Sequence, residues 1–111
     1  MAKLEKKLNI GFDEALHRIE DGIMGGSITA TLEEKSDLIL GDARCSVRAF
    51  ERYSAIGSNR VSLTVTLFEH GDSGVYLSAA ATGGSQAVFF KLNTLGEEAF
   101  LDKVREIIST L

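Results

Sequence analysis

Arg44, Arg48, Arg52 and Arg60 crowd into a stretch whose only acid is Glu51. A guanidinium is a permanently charged planar fork that matches carboxylate and phosphate oxygens, so this stretch is the first candidate for holding a small anion. Phe50 lies among the arginines, and Phe68 and Tyr76 follow further along. Aromatic rings beside arginines are the mixture found in interface hot spots. Gly83-Gly84-Ser85-Gln86 is a second candidate, because successive backbone N–H groups there could curl around an anion. It has no lysine at the phosphate-loop position and precedes an apolar run rather than a helix, which makes a flexible connection the plainer reading.

Other reactive types fare less well. His17, His70 and Cys45 have no ligand-type spacing, so no metal site is expected. Cys45 shares parity with Val47 and Ala49, which predicts a buried, unreactive thiol. No serine shows the strand-to-helix elbow of an exposed nucleophile, and Glu97-Glu98 has a sufficient role in starting a helix. No catalytic residue and no cofactor is nominated. A nucleophile, base and stabiliser are not recognisable together, and that weighs against an enzyme.

The elements that would position these residues follow from periodicity. Residues 3–10 alternate Leu4, Leu8 and Ile10 with charges, as a lysine-protected edge strand would. From Phe12 the spacing is helical through Ala15, Leu16, Ile19 and Ile23, with Asp13 and Glu14 favouring the first turn and Gly25-Gly26 predicting a left-handed stop. Ile28, Ala30 and Leu32 then predict a half-buried strand, Glu34-Lys35-Ser36 a turn, and Leu38 and Leu40 a renewed inward face. Apolar parity changes after Gly41-Asp42, which suggests a bulge there. Residues 61–69 and 75–82 alternate strictly and should pair around Gly71–Gly74, with Phe68 opposite Tyr76 and Thr66 opposite Ser78. Val88-Phe89-Phe90 reads as a last short strand. Thr94 and Glu97 read as a capping box opening a final helix with Phe100, Val104, Ile107 and Leu111 on its stripe.

Strand, helix, antiparallel strands, helix is thus the predicted order. The predicted fold is α+β: an antiparallel sheet of about five strands with two helices packed on one face. It resembles, in architecture alone, half of the TATA-binding-protein fold. Strand parity places Arg44, Ser46, Arg48, Phe50 and Arg52 on the outer face, together with Arg60, Ser62, Thr64, Thr66, Phe68, Tyr76, Ser78, Ala80 and Thr82. That composition fits a partner or ligand surface, and it also fits a solvated face, since Thr and Tyr favour strands in any case.

The chain has 111 residues, which suits a single domain spanning 1–111, and it contains no proline-rich linker or internal repeat. A net charge of −4 opposes non-specific approach to a phosphate backbone, so nucleic acid is not an expected partner. One cysteine, a charged start unlike a signal peptide, and no long apolar run predict a cytoplasmic protein without a membrane span.

Several strings carry a resemblance: Leu40-Gly41-Asp42-Ala43-Arg44-Cys45, Tyr53, Asn59-Arg60-Val61-Ser62-Leu63, Gly83 through Lys91, and Gly96-Glu97-Glu98-Ala99-Phe100-Leu101. They resemble an uncharacterised family of Gram-positive bacteria, domain of unknown function 6054. The resemblance covers nearly the whole chain and implies a small bacterial cytoplasmic protein, with no activity, cofactor or catalytic residue attached. Two functional expectations result. One is a non-catalytic binding or assembly module using the outer sheet face, most simply a homodimer. The other is a small-anion binder or enzyme using the arginine cluster and the Gly83–Gln86 loop.

Overall fold

A computed structural model of the chain describes residues 2–54, 59–83 and 90–110. Its elements are β1 (Ala2–Leu8), α1 (Phe12–Gly25), β2 (Thr31–Leu40), β3 (Ala43–Ser54), β4 (Asn59–His70), β5 (Val75–Gly83) and α2 (Phe90–Ile108). The five strands form one sheet in the order β1-β5-β4-β3-β2, and every neighbouring pair is antiparallel. The α+β class expected from the sequence is therefore the one observed.

Strand β4 is central and supplies the deepest part of the core. Val61, Leu63, Val65 and Leu67 are all buried, and in β5 so are Val75, Leu77, Ala79 and Ala81. Alternation with period two puts each set on one face, and the β4–β5 register matches the prediction, with Phe68 opposite Tyr76 and Thr66 opposite Ser78. The apolar stripe of α1 (Phe12, Ala15, Ile19, Ile23) and that of α2 (Phe100, Leu101, Val104, Ile108) close over this face. The helices also meet each other. A Cβ at Gly22 would strike the Ile107 side chain, and one at Gly26 would strike Lys103 and the Gly22 carbonyl oxygen. These two glycines, four apart on one side of α1, let α2 approach closely. Gly26 has φ −88°, so α1 stops without the predicted left-handed residue.

Three further expectations are corrected. First, β2 runs unbroken from Thr31 to Leu40 through the supposed turn at Glu34-Lys35-Ser36, and its irregularity lies between Leu32 and Glu34. Ile28 belongs to a turn before the strand and is fully exposed. Gly41-Asp42 is no bulge: Leu40 pairs with Ala43, so these residues form a two-residue hairpin loop, with Gly41 at φ 60° where a side chain would be strained.

Second, β3 presents the opposite face from the one predicted. It pairs Arg48 with Val65 and Phe50 with Leu63, and residues opposite one another share a face, so the inward set of β4 carries even-numbered β3 residues inward. Arg44, Ser46, Arg48, Phe50 and Arg52 therefore lie under the helices, with Phe50 buried completely. Cys45, Val47 and Ala49 lie on the open face, each half-buried, so the thiol is not a core group. By the same logic Leu38, opposite Cys45, points to the open face rather than inward.

Third, α2 already begins at Phe90, which places Thr94 inside the helix and not at its cap. Phe90 is helical rather than part of a strand, and Val88 and Phe89 lie outside the described residues. Glu97 consequently lies beyond the first turn of α2. It is buried and accepts a hydrogen bond from the Gly83 N–H at 2.8 Å, tying α2 to the end of β5.

Candidate functional site

The arginine cluster divides once its partners are traced. Arg48 is held on the sheet floor beneath α1 with its side chain only 5% exposed. Its Nε donates to Glu20, its Nη2 to Asp37 at 2.9 Å, and its Nη1 to the backbone oxygens of Ser36 at 3.2 Å and Val47 at 3.0 Å. The Ser46 hydroxyl donates to the same Asp37 oxygen at 2.6 Å. Burial works against the Arg48 cation, but the Glu20 and Asp37 hydrogen bonds outweigh it and raise the pKa. Asp37 is held below its ordinary value, chiefly by the Ser46 hydroxyl and then by Arg48.

Arg44 repeats the device two turns of α1 away. Its guanidinium meets both oxygens of Asp13, at 2.9 and 3.4 Å, and stacks on the Phe12 ring at 3.9 Å from the centroid. The Asp13 hydrogen bond raises its pKa. Asp13 and Glu20 stand seven residues apart beside the apolar stripe of α1, so they share the face turned to the sheet. That spacing is the sequence signal for this docking. Arg60 is outside the core and pairs with Glu51 at 2.7 Å and more distantly with Glu33. Arg52 differs from the rest: it stacks on Phe100 at 4.4 Å, burial lowers its pKa, and no acid pairs with it among the described residues. The four residues thus do not converge on one site, and two of them are saturated by carboxylates of α1 and β2.

The Gly83–Gln86 candidate is reached only at its first residue. The Gly83 N–H is occupied by Glu97, and Gly84, Ser85 and Gln86 lie outside the described residues. Histidines are dispersed: His17 pairs with Asp21 on α1, and His70 with Asp42 across the hairpin ends. Among the described residues no three His, Cys, Asp or Glu side chains gather closely enough to hold a metal ion.

Phe68 and Tyr76 do stand on the open face, each 45% exposed. The registers place them in one row that crosses all five strands: Leu38, Cys45, Phe68, Tyr76 and Lys7. Leu38 is 63% exposed, and Leu40 beyond it more so. Sequence parity missed both as open-face residues. The signal that finds them is the two-residue Gly-Asp loop, which fixes how β2 and β3 faces correspond. Two shallow hollows flank the Phe68 ring. One, of about 400 Å³, is lined by Leu38, Leu40, Ala43, Cys45 and Phe68. The other, of about 340 Å³, is lined by Glu5, Lys7, Thr66, Phe68, Tyr76 and Ser78. The Lys7 ammonium lies 5.8 Å from the Tyr76 ring centroid.

Below this row the face becomes small and hydroxylated. Ser36, Val47, Thr66, Ser78 and Glu5 form the next row, and Glu34, Ala49, Thr64, Ala80 and Lys3 the one after. No helix covers any of these rows among the described residues. Among the described residues no helix is long and apolar enough to cross a membrane. Among the described residues the open face therefore offers a flat surface with an apolar band and shallow hollows.

No curated protein and no solved structure matches the chain. A family model does, over residues 1–111, and its description is a family of unknown function. The chain, from its first residue to its last, belongs to that family, DUF6054.

Proposed function

We propose that the chain is a non-catalytic assembly module that uses the open face of its sheet, most simply to form a homodimer in a bacterial cytoplasm. The observation that carries this reading is the row of exposed Leu38, Phe68 and Tyr76 with half-buried Cys45, an apolar band across a sheet face that no other element covers among the described residues. Aromatic and aliphatic side chains gathered on a flat surface favour a partner, because covering them removes apolar area from water. The mixed charges at the edges, Lys3 and Lys7 against Glu5 and Glu34, give no continuous basic track for nucleic acid.

Sedimentation equilibrium on the wild type and on Phe68→Asp tests the reading. A wild-type dimer at micromolar concentration and a folded, monomeric variant are expected, since Phe68 lies outside the core. A wild-type monomer at high micromolar concentration ends the proposal, and a variant that stays dimeric moves the contact elsewhere.

The competing reading, a small-anion site, draws on Arg52, the half-buried guanidinium with no acid paired to it among the described residues. Titration with inorganic phosphate, on the wild type and on Arg52→Gln, would support it only if the wild type alone binds.

A further inference from the structure

Resting on the reading of the open face as a self-association surface, we infer that the second copy seats about a two-fold axis running along β4. Stacked sheets lie about 10 Å apart with their strands within about 30° of alignment. Two symmetric arrangements of a flat five-stranded face satisfy this, and the residues on the rows discriminate between them.

With the axis along the central strand β4, each row meets its own copy in reversed strand order. Lys3 on β1 then faces Glu34 on β2 of the other copy, because both occupy the ends of one row. The contact is made twice, once at each edge. In the apolar row Phe68 meets Phe68 near the axis, Tyr76 comes opposite Cys45, over the hollow bounded by Leu38, Cys45 and Phe68, and Lys7 comes opposite Leu38, along which its hydrocarbon stem can lie with the ammonium at the solvated edge. A projecting ring thus meets a recess, and the face is self-complementary in shape as well as in charge. Interlayer twist would displace the edge strands by only about 5 Å, which a lysine side chain spans.

An axis across the strands keeps β1 against β1 and β2 against β2, so Lys3 and Glu34 never meet. Passed through the apolar row it sets Lys7 against Lys7, and passed through Thr66 it sets Lys7 against Lys3; passed midway, at Leu67, it pairs Lys7 with Glu5 but turns the Glu34 carboxylate onto Leu40. Like charges oppose the first two contacts, and a short-stemmed carboxylate over an aliphatic side chain opposes the third.

The area is also adequate. Five strands at about 4.8 Å spacing and eight residues at about 3.4 Å cover about 650 Å² per copy, or about 1,300 Å² in all, inside the range of stable interfaces.

Charge reversal tests the axis. Lys3→Glu and Glu34→Lys are each expected to raise the dimer dissociation constant roughly five- to tenfold, since each places two like-charged pairs at the edges. The double variant is expected to return to within about twofold of the wild type. Singles without effect, or a double variant no better than the worse single, overturn the axis. Cysteine pairs give an independent measurement in a Cys45→Ser background. Ser62→Cys and Thr66→Cys, both outward on β4, should each cross-link to their own copies with a bismaleimide of about 10 Å span. Cross-linking at one of them alone indicates an axis across the strands and refutes the inference. A wild-type monomer defeats the self-association reading itself, whereas a dimer with non-reciprocal charge reversals defeats only this orientation.

Discussion

The two halves of the sheet lie beneath the same pair of helices and are held to them by different means. In the β4–β5 half the inward residues are hydrocarbon, Val61 to Leu67 and Val75 to Ala81, and the overlying helices answer with Phe100, Leu101 and Ile19. In the β3 half the inward residues include Arg44, Ser46 and Arg48, and α1 answers with Asp13 and Glu20. Apolar burial needs only shape and tolerates exchange of one aliphatic side chain for another. An ion pair under a helix requires a partner at the correct place, and it is unforgiving when one side is removed. The first half makes the fold stable. The second fixes where α1 lies on it.

Substitutions can break this contrast. Leu63→Ala should cost about 3–4 kcal/mol, as cavity formation at a fully buried leucine does. Arg48→Ala should cost somewhat less, about 2–3 kcal/mol, because Glu20 and Asp37 are partly solvated and can recover water when the guanidinium leaves. Arg48→Met combined with Glu20→Met should regain part of that loss, since the more buried carboxylate departs with the guanidinium and the more exposed Asp37 keeps the Ser46 hydroxyl. Chemical denaturation measures all three. If the double variant is worse than Arg48→Ala, the pair contributes more than the positioning assigned to it.

Thiol labelling sharpens the contrast on the other side of β3. Cys45 faces the open row, so it should react slowly in the assembled wild type and faster in Phe68→Asp. Equal rates would separate the thiol from the contact surface.

The smallest effect concerns acid. Asp37 has a folded pKa below its ordinary value of 3.8, set first by Ser46 and then by Arg48. It therefore contributes stability above that pH, and the contribution is lost as the pH falls through the lowered folded value. Asp37→Asn should give a gentler decline in denaturation midpoint between about pH 5 and pH 2. An identical decline would leave the Ser46–Asp37–Arg48 contacts without influence on folding.

How much of this the chain announced follows the same division. The β4–β5 hairpin was legible to the residue because Val, Leu and Thr alternate without exception and the glycine turn fixes the sum of paired positions. Both amphipathic helices were legible in existence, although α2 starts four residues before Thr94. In β3, alternation misled. Cys45, Val47 and Ala49 are small apolar residues that tolerate half-burial, while the inward arginines hide long hydrocarbon stems beneath charged heads. Parity of hydropathy cannot see a carboxylate waiting on a helix more than twenty residues upstream. For the candidate surface, Phe68 and Tyr76 were visible and Leu38 was not, because its face is set through the Gly41-Asp42 loop and the β3 register.

The placement of β1 has a consequence for how the chain comes together. Strands β2 to β5 form a meander in which each strand pairs with its successor, so three hairpins can close one after another at modest entropic cost. Ala2, by contrast, pairs with Ala81, almost at the far end of the meander. The strand synthesised first must wait for β5 before it has anything to hydrogen-bond with. Until then α1, tethered at the opposite edge through β2, keeps it nearby. The nascent chain exposes the flank of β5 during that interval, and the charges of β1, Lys3, Glu5, Lys6 and Lys7, are well suited to keeping the unpaired strand in water.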